Sequence, residues 1–265
     1  MSDIIIPTYL ETTYRNPLNL DITNKCPLEC PACHRQSIWY KANRHYFIEM
    51  SIDDFKKILE TFSWIEFSGQ QSDPTAHTQF HEFLTLSYSH KLDIHTAASH
   101  KKKPFYEEAY DRTGLNTSWI FGLDGLPEES HKYRIHQDGE HIYNMMKLGV
   151  EMGCNIIWQY IVFNYNQDHI EQARQMAKDD GIEFKLSLSS RWDKGTDVPV
   201  LHLKPRDEFC ASNQKIETEM YYSREHACCS MSRPFCTGLL TAMLLYRRIS
   251  SEKRYSTRNI LPRKV

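Results

Sequence analysis

The chain has 265 residues, 40% of them hydrophobic and 25% charged, with a formal net charge of -2 and a pI near 6.7. That length supports one large α/β domain, or a domain with an appendage. The near-neutral balance gives no global electrostatic pointer to nucleic acid or to an anionic membrane.

Strand and helix patterns alternate along the chain. Leu18 to Thr23 reads as a strand running into a cysteine-bearing loop. Ser51 to Phe62 reads as a helix, with Ser51 placed as its N-cap and Asp53 and Asp54 in a first turn that favours acids. Trp64 to Gly69 is a short strand, Thr78 to Ser89 a helix and Leu92 to Ser99 a strand. Lys103 to Thr113 is a helix with Pro104 in its first turn. Thr117 to Gly125 is a buried strand breaking at Asp124-Gly125. A helix over Glu140 to Gly153, with Gly153 at its C-terminal cap, precedes a strand over Asn155 to Asn164. A helix over Gln167 to Gly181 and a sixth strand over Ile182 to Ser189 complete the pattern.

Six alternating strands predict a parallel sheet with helices outside and ligands at the carboxyl ends of the strands. After Arg191 the text is rich in chain breakers, so we place a boundary near Ser190: a core over 1–190 and a smaller appended region over 191–265. The first 17 residues lack a basic segment leading into a long apolar one, and the apolar run Gly238 to Tyr246 is too short for a bilayer. The expected setting is cytoplasmic and reducing, with no membrane partner. There, clustered cysteines serve metals or catalysis rather than disulfides.

The loop after the first strand carries Cys26, Cys30 and Cys33, spaced Cys-x3-Cys-x2-Cys. Thiolates are soft ligands that suit zinc or iron–sulfur clusters. Zinc would need His34 as a fourth ligand, and the usual paired-knuckle spacing is missing. A cubane cluster with one open iron fits the three thiols best.

This motif after a first strand resembles the radical S-adenosylmethionine superfamily, over about Leu18 to Leu188. The resemblance implies a partial (β/α)6 TIM-like barrel with a short cysteine-containing C-terminal extension. It implies a [4Fe–4S] cluster on Cys26, Cys30 and Cys33, with S-adenosylmethionine on the fourth iron. The reduced cluster then cleaves the cofactor to a 5′-deoxyadenosyl radical that abstracts hydrogen from substrate. A reducing protein such as flavodoxin or ferredoxin is the implied electron source.

Further positions follow the resemblance. Ala32 stands where the family has an aromatic residue, which leaves Trp39 or Tyr40 to stack on adenine or simply to pack. Ser68, Gly69, Gln70 and Gln71 occupy the place of the family's Gly-Gly-Glu-Pro-like segment, which holds the cofactor's amino group. Asp73 there either restores a carboxylate charge or starts a helical turn. At the end of the third strand only Ser99 is a candidate.

In the fourth unit Leu123, Asp124, Gly125, His131, Tyr133 and Arg134 match the family stretch, with Gly122 where serine is common. Arg134 would clamp the cofactor carboxylate, a task suited to guanidinium. Asp124 would face cofactor or substrate, or cap the turn. Gln159, Asn164 and Asn166 are placed to bond ribose, Asn166 equally to cap a helix. Cys154 reads as core.

Cys210, Cys228, Cys229 and Cys236 resemble a fragment of the SPASM or Twitch auxiliary-cluster domains. They imply one auxiliary iron–sulfur cluster; a zinc site and unligated buried cysteines stay open. Relatives with auxiliary clusters often modify peptides, so a peptide or protein is the first substrate expectation. Nucleotide, sugar and RNA stay open, because fold does not set substrate. The rival reading is a non-catalytic iron–sulfur or zinc protein on a degenerate barrel. The basic stretch Tyr246 to Val265 reads as a flexible tail or as an element steering an acidic partner.

Overall fold

Seven strands form one parallel sheet in strict chain order: β1 (Leu18–Asn19), β2 (Trp64–Phe67), β3 (Lys91–Thr96), β4 (Thr117–Gly122), β5 (Asn155–Ile161), β6 (Glu183–Leu188) and β7 (Tyr221–Tyr222). The computed structural model describes residues 17–36, 48–69, 72–189, 192 and 200–210, and the backbone of 221–222. The chain divides into two compact units, Met1–Ser223 and Arg224–Val265, and the described residues all lie in the first.

Helices α1 (Ile52–Leu59), α2 (Phe80–Leu86), α3 (Lys103–Asp111), α4 (Gly139–Glu151) and α5 (Ile170–Asp179) fill the connections. Their starts are set locally. The Ser51 hydroxyl accepts from the Asp54 N–H at 3.2 Å, and the Asp138 carboxylate accepts from the His141 N–H at 3.0 Å. Each supplies a partner to a helix donor that has none within the helix.

Strand alternation divides the sheet into two faces. Ile65, Phe67, Ile94, Trp119, Phe121 and Trp158 point to the helices and join Phe55, Phe83, Tyr106 and Met146 in the main core. The alternate positions carry Glu66, Asp93, His95, Ser118, Gln159 and Lys185, all partly buried. This face is wired by polar contacts: Glu66–His95 at 3.2 Å, the Trp64 indole N–H to Asp93 at 2.8 Å, and Gln159 to the Ser187 hydroxyl at 3.3 Å. A fully packed barrel would fill this side with branched apolar residues.

Two features depart from the sequence reading. The first strand is only two residues long. The Leu20 N–H still donates to Glu66, but the Ile22 carbonyl takes the Met50 N–H at 2.8 Å and Thr23 bridges antiparallel to Glu49. The chain has left β2 for the segment before α1. The second is β7, which pairs parallel to β6 through Ser187↔Tyr221 and Leu188↔Tyr222 and was not expected from the sequence.

Candidate functional site

The cysteine loop emerges at the carboxyl end of β1. The Cys33 N–H donates to the Cys30 carbonyl at 3.0 Å, closing a tight turn between two of the thiols. Arg35 reaches back to the Leu28 carbonyl at 3.2 Å, and the Glu29 N–H donates to the Ile135 carbonyl at 3.2 Å. Cys26 and Cys30 pack against Leu28, Ala97 and Ala98. Cys30 and Ala32 also flank a second cluster of Tyr133, Ile161, Phe163, Trp192, Val200 and Cys210. Burial, followed by the nearby Asp73 charge, pushes the Cys26 thiol up to about 12.

Among the described residues no three His, Cys, Asp or Glu side chains stand ready-converged on one metal position. The donor chemistry nonetheless fits an iron–sulfur cluster. Three half-buried thiols share one braced loop, with apolar walls behind it that would keep water off the sulfurs.

The end of β2 is held by Asp73. Its carboxylate is buried and accepts from the Thr75 N–H at 3.0 Å, the Thr96 hydroxyl at 2.9 Å and the Ala97 and Ala98 N–H groups at 2.9 and 3.0 Å. It also accepts from the Thr75 hydroxyl. Asp73 thus starts the helical turn Pro74–Ala76 and staples it to the end of β3. Its oxygens serve the fold, so the turn-starting alternative is the one observed. Ala97 and Ala98 contribute backbone, which no side-chain argument would single out. Ser68 and Gly69 lie just before this staple. Gly69 has φ +57, and a Cβ there would stand 3.1 Å from the His95 carbonyl oxygen.

At the end of β4 the structure brings two predicted residues together. The Asp124 carboxylate is fully buried and accepts from the Ile161 N–H at 3.0 Å; its other oxygen faces Arg134 Nε at 2.8 Å. The Arg134 Nη atoms lie over Gly122, where a Cβ would stand 2.6 Å from Nη2. Serine there would collide with the guanidinium. Gln137, missed from the sequence, is buried and bridges two strand ends: its amide donates to the Ala97 carbonyl at 2.6 Å and to the Gly122 carbonyl at 2.9 Å. It accepts from Ser130.

The other predicted residues are scattered. Asn164 is exposed and donates to the His202 carbonyl at 2.8 Å, tying the end of β5 to the turn Leu201–Leu203. Asn166 is buried and brackets its own turn, accepting from the Phe163 N–H and donating to the Ile161 carbonyl. Cys154 packs on the main core. Cys210 is buried in the second cluster, the same one that Cys30 flanks. Gln70, Gln71, Trp39, Tyr40, Cys228, Cys229, Cys236 and the basic tail lie outside the described residues.

No protein-family model and no curated protein matches the sequence. Solved structures do. SuiB of Streptococcus suis bound to S-adenosylmethionine aligns with TM-score 0.51 and 16% identity, over 64% of this chain and 40% of that one. SuiB bound to its precursor peptide SuiA aligns with TM-score 0.52 and 17% identity, over 64% and 39%. The likeness shows a shared fold, and the match spans less than half the length of these two SuiB chains.

Proposed function

We propose that the chain is a radical S-adenosylmethionine enzyme acting on a peptide or protein. One observation carries the reading: a Cys-x3-Cys-x2-Cys loop stands at the carboxyl end of the first strand of a sheet whose fold is shared with SuiB. Cys26, Cys30 and Cys33 would hold a [4Fe–4S] cluster. When bound and reduced, that cluster supplies the electron that cleaves S-adenosylmethionine and so starts hydrogen abstraction.

The chain's own residues would bind and orient. Ser68, Gly69 and Gln70 would meet the cofactor's amino group, Gln70 through its side-chain carbonyl. Asp124 holds the Arg134 side chain by its Nε, and a guanidinium fixed in this way is suited to a carboxylate. Asn164 is the remaining cofactor candidate. The polar sheet face with Glu66 and His95 is the wall a substrate would meet. Peptide is favoured because SuiB binds a precursor peptide on the same fold. Cys210, with Cys228, Cys229 and Cys236, would hold an auxiliary cluster, and a flavodoxin or ferredoxin would deliver electrons in the cytoplasm.

The rival, a non-catalytic metal protein, is favoured by the departures from the family pattern at Ala32, Gln70 and Ala97. Anaerobic reconstitution with iron and sulfide, reduction, and measurement of 5′-deoxyadenosine beside Cys30→Ala separates the two. Cofactor cleavage by the parent and its loss in the variant is the expected result. Full iron content in Cys30→Ala would end the ligand assignment. A loaded, reduced parent that neither binds nor cleaves S-adenosylmethionine would establish the rival.

A further inference from the structure

Beside Cys26 lies an open cleft of about 400 Å³, lined by Lys25, Cys26, Pro27, Arg35, Ala76, His100 and Lys101. Four of these seven side chains are basic and, among the described residues, none is acidic. They come from the cysteine loop, the turn after β2 and the loop after β3, so the fold gathers them from separate parts of the sequence. The nearest acids sit behind the lining. Glu49 takes the Lys25 ammonium at 3.1 Å, and the Asp73 oxygens are occupied by Thr75, Thr96, Ala97 and Ala98. The basic run continues through Lys102 and Lys103 into the first turn of α3, where the helix dipole disfavours cations.

We propose that this cleft is an oxyanion subsite, receiving a carboxylate or phosphate group of a ligand and holding it beside the cysteine loop. Charge-assisted hydrogen bonds from ammonium and guanidinium are the strongest the side chains offer, and the His100 imidazole, its pKa lowered by burial, adds a neutral donor. Lys25, Arg35 and Lys101 are partly buried, where salt screens less than at an open surface. The volume exceeds that of a bare phosphate and falls within the range of small-molecule sites, so the oxyanion enters with part of the molecule that bears it. None of Ser68, Gly69, Asp124, Arg134 or Asn164 lines the cleft. Cys26 is shared with the proposed cluster loop, so the subsite adjoins the cofactor reading without using those five residues.

Lysine acylation followed by peptide mass spectrometry tests it on the full chain, as purified and after cluster reconstitution. The probes are inorganic phosphate, a glutamate-bearing peptide, its glutamine counterpart and S-adenosylmethionine. Lys25 and Lys101 should lose most of their modification in phosphate or the glutamate peptide, while Lys102 and Lys103, outside the lining, keep theirs. Protection by only one of the two anions identifies the oxyanion as phosphate or carboxylate. The glutamine peptide should protect neither lysine, and Lys101→Gln should cost Lys25 its protection. Equal protection of all four lysines, or none, would overturn the proposal. Protection by S-adenosylmethionine alone would overturn it too, by giving the cleft to the cofactor.

Discussion

The Arg134 guanidinium occupies the space that a side chain at position 122 would need: a Cβ on Gly122 would stand 2.6 Å from Nη2 and 2.9 Å from Cζ. A free arginine would swing away, but this one is anchored to Asp124 at 2.8 Å. Gly122→Ala should therefore cost about 1–3 kcal/mol, the usual range for overpacking. Urea unfolding gives the value. In an Arg134→Ala background the cost should shrink, since the clash is gone. Costs that simply add in the double variant would show that the two positions are independent.

Asp73→Asn should be among the most damaging single changes to the sheet's carboxyl end. An amide cannot accept at both ends, so donors among Thr75, Thr96, Ala97 and Ala98 lose their partner. Each buried donor left unsatisfied costs roughly 1–3 kcal/mol. Amide hydrogen exchange should quicken at Ala97 and Ala98 specifically; unchanged protection there would contradict the staple.

Gly69→Ala forces a β-carbon onto a backbone at φ +57, with the His95 and Ser72 carbonyl oxygens at 3.1 and 3.2 Å. The left-handed conformation alone costs about 1–2 kcal/mol. A thermal midpoint within error of the parent would mean that the turn relaxes freely.

Glu129 contributes a pH dependence. Burial alone would raise its pKa, but bonds from His169, Lys132 and the Leu126 N–H outweigh this and hold it below the ordinary carboxylate value. A carboxyl lowered in the folded state adds stability above its unfolded pKa, about 4.3, and loses it as pH falls through the folded value. At neutral pH the parent should exceed Glu129→Gln by about 1–2 kcal/mol. Unfolding curves at successively lower pH should show the gap closing below about pH 4. A gap that stays constant into acid would show that the charge is not its source.

Strands β2 to β6 were legible because short runs with buried residues at alternate positions are interleaved with helical periods, and because Ser51, Pro104 and Gly153 mark helix ends. The cysteine loop was legible from spacing alone. The wiring was not. Asp73 reads as a candidate charge until Thr96, Ala97 and Ala98 are seen to converge on it from another strand. Gln137 carries no signal at all, because its partners are backbone carbonyls about 15 and 40 residues away. Arg134 stood out in the sequence as a cofactor candidate, but its ion pair with Asp124 depends on how the turn after β4 folds back.

The strict chain order of the sheet also bears on how the protein is made. Each described strand pairs with the one before it in the chain, across a crossover that keeps the paired residues far apart in sequence, as in Leu18↔Ile65 and Ser118↔Asn155. Such non-local parallel pairing folds slowly, and the N-terminal units of a large chain can condense first during synthesis. The nascent sheet would then grow at a single edge, each new helix and strand covering the face its predecessor left open. On such a route the cysteine loop emerges before the strands β2 to β6 that follow it. The neighbours that complete its surroundings, Ala97, Tyr133, Phe163 and Cys210, are added one unit at a time.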